Sequence, residues 1–261
     1  MKKLLLFLVF LLGSSLQAQY FNYYFFSVPS GEGSEYETIE KEYFAKVMSK
    51  AVEEGIINGW SVYRKVGGDR KSINYYSWVG IGDLEAFKTF LDNVGNAFSE
   101  ARETLDSPGL VDIGRKKFGS YMQWSGTFYR EVMAQPKNFN GFKYLRHNYA
   151  MVPNPTAFAK AQNDVWKPFI QKHMNSQKIK QQIWAVARRL NPVGNGFNWN
   201  VMTIDGYNEL TDVYAPSDGD YPDISNLDLD AIDQTMPNGW YKRIIWQRIV
   251  WVDGEGKIHL N

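Results

Sequence analysis

The hydrophobic pattern alternates between strand and helix periods. Tyr20 to Val28 (YFNYYFFSV) is apolar on both faces, as expected of a strand buried on both sides. After a Gly-rich loop, Ser30 to Ser34, the residues Phe44, Val47, Met48, Ala51 and Val52 recur at the spacing of an amphipathic helix, which Gly55 is placed to end. Trp60 to Val66, a Gly-Gly-Asp turn at Gly67 to Asp69, and Ile73 to Val79 read as a β-hairpin. A short helix is predicted from Asp83 to about Leu91, and a final strand from Gly126 to Met133.

The same order returns. A strand from Tyr144 to Val152 leads into a Pro-Asn-Pro-Thr helix start at Pro153 to Thr156, with Pro155 suited to the first turn. The helix runs to about Ser176, and Trp166, Phe169, Ile170, His173 and Met174 reproduce the first apolar stripe 122 residues later. A second hairpin is predicted over Ile183 to Leu190 and Phe197 to Ile204, with Asn191 to Gly196 as its turn. Helix-like pieces at Gly206 to Val213 and Leu227 to Ile232 precede a last strand, Ile244 to Val252. Val28 and Val152, Trp60 and Trp184, Val62 and Val186, Arg64 and Arg188, and Asn74 and Asn198 are each separated by 124 residues. This shared period predicts an ancient duplication: a first unit at 19–134, a linker at 135–142 (QPKNFNGF for Gln135 to Phe142) and a second unit at 143–261.

Each half follows the β-α-β-β-α-β order of a ferredoxin-like unit, which packs its helices on one sheet face and leaves the other to be covered. The expected fold class is therefore α+β, with two tandem ferredoxin-like units packed sheet to sheet as one barrel-like body. A strand, a helix ending near Gly55, a Gly-Trp opening the next strand (Gly59, Trp60) and an Asn-Tyr-Tyr strand (Asn74 to Tyr76) resemble the dimeric α+β-barrel superfamily. That group includes antibiotic-biosynthesis-monooxygenase and NIPSNAP-like domains and, as tandem fusions, chlorite-dismutase-like haem proteins. The resemblance implies a small organic ligand between the halves and cofactor-independent oxygenase- or isomerase-type chemistry. A non-enzymatic interaction module is the alternative, and haem binding a second one.

The N-terminus adds a destination. Lys2 and Lys3 precede an apolar run from Leu4 to Leu12, too short to span a bilayer of roughly 30 Å, and small residues allow cleavage after Ala18. The expected mature protein is exported, periplasmic or secreted, and starts at Gln19. No later run is apolar enough for stable membrane insertion. The chain has no cysteine, hence neither disulfides nor thiolate ligands, and 29 basic against 28 acidic residues give no field for nucleic acid. A homodimer is one option. The 16 Phe, 16 Tyr and 9 Trp exceed what a core requires by size, so some are expected to line a cavity or a contact surface.

Strand alternation puts Trp60 and Arg64 on one face and Trp184 and Arg188 on its copy, so both arginines are candidates to hold a carboxylate or enolate in the cavity. Pairing with Glu or Asp is the competing role. Arg130 and Arg248 on the last strands carry the same two options. Asn74, Tyr76 and Asn198 are candidate ligand contacts, the asparagines having strand-end capping as their alternative. His147 is a candidate general base, and His173, on the apolar helix face, a candidate haem ligand or a core histidine. No resident cofactor or metal is expected. The acidic loop Ser217 to Asp233 lacks EF-hand spacing and reads as a solvated loop, with calcium the open alternative.

Overall fold

The computed structural model describes residues 20–68, 73–103, 119–194 and 196–261. The expected leader and Asp69 lie outside them. The first half runs β1 (Tyr20–Phe26), α1 (Gly33–Ile39), a π-helical turn (Glu40–Phe44), α2 (Ala45–Glu53), β2 (Gly59–Gly67), β3 (Tyr75–Gly82), α3 (Leu84–Glu103) and β4 (Met122–Ala134). The second runs β5 (Tyr144–Ala150), α4 (Pro155–Ala161), a π-helical turn (Gln162–Trp166), α5 (Lys167–Asn175), β6 (Ile183–Asn191), β7 (Val201–Tyr207), α6 (Leu210–Tyr214), α7 (Leu229–Asp233), β8 (Lys242–Val252) and β9 (Ile258–Leu260). The sheet order is β2-β3-β1-β4-β6-β7-β5-β8-β9, and β2 also pairs with β8. Each half therefore contributes the four-strand order of a ferredoxin-like unit, and eight antiparallel strands close into a barrel with helices outside.

Closure divides the apolar residues into three layers. Phe26, Val47, Val52, Trp60 and Val62 belong to a core between the first half's helices and the barrel wall. Phe158, Phe169, Ile170, Trp184 and Val186 form its counterpart in the second half. Inside the barrel, Phe21, Tyr23, Phe25, Tyr63, Tyr76, Phe128, Tyr149 and Trp246 pack together. Strand alternation accounts for the split: on β1 the side chains of Phe21, Tyr23 and Phe25 point inward, which is why this strand is apolar on both faces.

Local chemistry sets the ends. Asn154 caps α4, its Oδ1 accepting from the Ala157 N–H at 3.0 Å, and Pro155 occupies the first turn. Gly55, at φ +72°, terminates the first helix in the left-handed region. Several boundaries differ from the sequence expectation. The helix predicted to stop at Leu91 continues to Glu103, because the Ala- and Glu-containing stretch beyond tolerates Gly95. The strand expected over Phe197 to Ile204 begins at Val201 and ends at Tyr207, so Gly206 is strand and not a helix start. Pairing with β5 draws it on, from Ala150↔Val201 to Tyr144↔Tyr207. A Cβ at Gly206 would lie 2.4 Å from Ile183 Cγ2, so only glycine permits this approach. Strand β9 was not anticipated.

The two π-helical turns begin at Glu40 and Gln162, again 122 residues apart, and both first residues are buried. Neither Glu40 oxygen has a hydrogen-bond partner among the described residues, with Tyr36 one turn earlier as polar neighbour. Burial raises the carboxyl pKa from 4.5 to about 8. Between those values the unfolded chain is ionised there and the folded chain is not, so stability falls as pH rises through this window and levels off above it. Replacing Glu40 by Gln, the residue its own repeat carries, should remove a penalty on the order of 4 kcal/mol at pH 8 and leave stability near pH 4 unchanged. Urea unfolding of both proteins across that range measures it; parallel curves would show that Glu40 is ionised in the fold.

Candidate functional site

The barrel has a cavity at each mouth and a packed plug between them. Around the plug, Tyr23, Tyr76, Trp246 and His147 meet: Tyr76 lies 4.7 Å from the Trp246 ring, 4.9 Å from Tyr23 and 5.3 Å from His147. These aromatics form the contact between the halves. The first cavity, of about 280 Å³, opens where β1, β2, β5 and β6 begin. Both halves line it, the first through Phe21, Tyr63, Trp78 and Arg130, the second through Leu145, Ile183 and Arg248. Gly80 makes room for Trp78, since a Cβ there would sit 2.5 Å from the indole.

Arg248 is the most deeply buried of the charged residues that line this cavity, beside Arg130 and Asp253. Only 8% exposed, its guanidinium lies 3.8 Å from the Trp251 ring centroid and 4.5 Å from that of Phe142, and it approaches the Tyr63 phenol. Its Nε has no hydrogen-bond partner, and no carboxylate pairs with it among the described residues. Burial lowers its pKa from the usual arginine value, with Tyr63 acting in the opposite sense, and burial likewise raises that of Tyr63. Tyr63 thus stays protonated beside a buried cation.

Arg130 is the structural counterpart of Arg248. Arg130 sits opposite Ala187, Arg248 opposite Tyr63, and those two partners are themselves 124 residues apart. Beside each arginine the ladder slips by one residue, at Glu131 and at Ile249, forming a β-bulge. The bulge lets Arg face the lumen while Val132 and Val250, two residues on, face the helices. Arg130 also lines the cavity, and burial lowers its pKa.

The other candidates land elsewhere. Trp60, Arg64, Trp184 and Arg188 do share faces, but these are the helix-side faces. Trp60 borders the cavity yet packs in the helix-side core, as does Trp184. The lumen positions of those strands go to Ser61, Tyr63, Ala185 and Ala187, which are one residue out of step. Arg64 bonds Glu37 at 3.0 Å and Gln247 at 2.8 Å, and Arg188 pairs with Glu131 at 2.6 Å, so neither is a cavity ligand. Asn74 clamps Val28, accepting from its N–H at 2.9 Å and donating to its carbonyl at 2.8 Å. Its true counterpart is Asn200, which makes the same two bonds to Val152, and not Asn198, which is exposed and donates to Tyr241 at 3.1 Å. Two additional residues in the second hairpin turn displaced the register. Tyr76 does line the cavity.

His147 departs from its candidate role, and His173 follows the second of its two readings, packing on the apolar face of its helix. His147 is fully buried in the plug, with Nδ1 3.1 Å from the Tyr149 hydroxyl and Nε2 3.5 Å from that of Tyr76. Desolvation lowers its pKa from 6.5 to about 3, which makes it a poor general base at neutral pH. His173 packs against Phe169 with its ring tilted, centroids 4.5 Å apart, and borders neither barrel cavity. Haem requires a slot for the macrocycle at its axial imidazole. The His173 surroundings do not fit one, and both His147 nitrogens face phenols. In the acidic loop, Asp218 pairs with Lys180 at 2.7 Å, Asp223 bonds Ser225, and Asp228 caps α7 through Ala231. No acidic or histidine cluster suited to a metal occurs among the described residues.

No protein-family model and no curated protein matches the sequence. Solved structures match in fold. A candidate monooxygenase from Lactobacillus acidophilus aligns over 92% of this chain and 95% of its own, at 13% identity and a TM-score of 0.51. An anthrone oxidase-like protein aligns over 91% and 94%, at 12% identity and a TM-score of 0.49. A chlorite dismutase from Candidatus Nitrospira defluvii aligns over 89% and 91%, at 7% identity and a TM-score of 0.41. The first of these likenesses is one of fold, and it agrees with the closed α+β barrel.

The His147 environment predicts an acid-side weakness. Above pH 6.5 both folded and unfolded chains carry it neutral; between 6.5 and 3 only the unfolded chain binds the proton, so stability declines as pH falls. His147→Phe should flatten that decline while costing about 1–3 kcal/mol at pH 7 from the phenols left unpaired. Denaturant titrations from pH 7 to pH 4 give the slope, and an unchanged slope would mean that His147 titrates normally.

Proposed function

We propose that this is an exported protein that binds a small organic anion in the aromatic cavity at the Arg248 mouth of the barrel. The carrying observation is a buried guanidinium, on the cavity wall, with which no carboxylate pairs among the described residues; Asp253, also on the wall, is taken up by His259 at 2.7 Å. A buried charge left unpaired is costly, and a ligand carboxylate or enolate would complete it. Tyr63 offers a phenolic donor beside the cation, Arg130 adds a second cation, and Phe21, Trp78 and Phe142 supply apolar walls for the ligand body. A guanidinium and a phenol acting together also suit an enolate, the species that a cofactor-independent oxygenase or isomerase must stabilise. The candidate monooxygenase of the same fold gives this chemistry a precedent in name.

Export follows from the leader and is tested separately. Expressed with its own N-terminus in a bacterial host, the protein should appear outside the cytoplasm with a mass beginning at Gln19. A cytoplasmic product retaining Met1 would refute this.

For the cavity, benzoate and 1-naphthoate are suitable probes. Wild-type melting temperature should rise with either, by the equivalent of about 2.7 kcal/mol at a hundredfold excess over Kd. Arg248→Gln should abolish the rise and leave the unliganded melting temperature equal or higher, since a buried charge has been removed. A variant that melts lower and still responds to benzoate would assign Arg248 to structure alone.

A further inference from the structure

The opposite mouth carries a second cavity, of about 200 Å³, lined by Phe25, Trp124, Tyr149, Phe197, Trp199 and Trp246 among others. Its polar edge is Asn198, Tyr241 and Lys242. The plug separates it from the first cavity: Tyr76 belongs to the wall of one, and Trp246 and Tyr149 to the wall of the other. Trp124, Phe197 and Trp199 are only partly buried and Tyr241 is 54% exposed, so four large rings surround a hollow open to water. No carboxylate lines it among the described residues.

A cation lies beneath these rings. Arg189 points into the lumen near the end of β6 and is 6% exposed. Its guanidinium is 3.9 Å from the Phe197 ring centroid and 4.6 Å from that of Trp199, and its Nη2 donates to the Trp199 carbonyl. Its Nε and Nη1 have no hydrogen-bond partner among the described residues. A cation held against a π-face draws electron density toward itself and leaves the ring poorer in electrons for any partner stacked on it. Such rings favour an electron-rich neighbour, in the offset or edge-to-face arrangements that aromatic pairs adopt. At the rim, Asn198 Nδ2 donates to the Tyr241 hydroxyl at 3.1 Å, which leaves the amide oxygen to accept and the Tyr241 proton to be donated.

We infer that the second mouth is a binding site for an uncharged, electron-rich aromatic ring bearing a hydroxyl or N–H, of the phenol or indole type. It differs from the first cavity in the charge it selects. The Arg248 mouth presents its cation to an anion directly, whereas here the Arg189 cation lies behind Phe197 and Trp199 and acts through their π-systems, and the charged residue on the rim, Lys242, is already engaged by other groups. Occupancy at the two ends is therefore independent.

Isothermal titration with indole and with phenol, with and without benzoate, tests the assignment. One indole per chain should bind, whether or not benzoate is present and equally well in Arg248→Gln. Trp199→Leu should weaken it about tenfold, the size of one or two aromatic contacts. Asn198→Ala, at an exposed position, should weaken it by a smaller factor, and nitrobenzene, electron-poor and of similar size, should bind less well than indole. Should Trp199→Leu fail to fold, Tyr241→Ala at an exposed position takes its place. Absence of indole binding at millimolar concentration, loss of binding in Arg248→Gln, or indifference to the Trp199, Asn198 and Tyr241 variants would each overturn the assignment.

Discussion

Strand pairing between the halves is the constraint on which the rest of the molecule depends. β2 pairs with β8 from Trp60↔Val252 onward, and β4 pairs with β6 from Ala134↔Trp184 onward. Without these two ladders each half would be an open four-stranded sheet with two bare edges and an aromatic face in water. With them there is a lumen, and the same rings that would be a liability on an open sheet become its filling. The cavities exist because that filling stops short of both mouths. The bulges beside Arg130 and Arg248 lie on these same inter-half ladders, so closure and the aiming of the arginines are one structural event.

The architecture was legible because it is written in periodicity. Element order, the two helix stripes and their 122-residue spacing all survive in the structure, down to the paired π-helical turns. The site was less legible for identifiable reasons. Alternation correctly grouped Trp60 with Arg64 and Trp184 with Arg188, but a period of two does not say which face looks inward; large apolar residues occupy both faces of a barrel wall that is covered outside and filled inside. The bulges broke alternation where it mattered. In Arg130-Glu131-Val132 and Arg248-Ile249-Val250 a regular strand would put Arg and Val on one face, and the additional residue sends them to opposite faces. The shared Arg-x-Val, 118 residues apart, was a usable sign. Asn198 was paired with Asn74 because the hairpin turn had grown by two residues; the Val28 and Val152 clamps reveal Asn200 as the equivalent. Arg189 carried no advance signal, since only the loop's return brings Phe197 and Trp199 over it.

Buried polar groups in this fold divide by what surrounds them. Glu40 and His147 sit within packed layers and meet burial by staying neutral, as a raised carboxyl pKa and a lowered imidazole pKa allow. Arginine lacks that recourse at physiological pH. Arg248 and Arg189 instead rest against aromatic rings next to the open ends, where a ligand or a π-system can answer the charge.

The duplication within one chain has a consequence for any molecule that enters. In a barrel made from two identical chains, every wall residue would recur across the axis, and a ligand could bind equally well turned half a revolution. Here the equivalent ladder pairs have diverged: Tyr63 opposite Tyr76 in the first half corresponds to Ala187 opposite Met202 in the second. At these positions phenols stand on one side of the lumen and apolar groups on the other, while an arginine remains on each. Fusion has removed the rotational degeneracy of the cavity, so a guest would present one edge, and only one, to the phenol side.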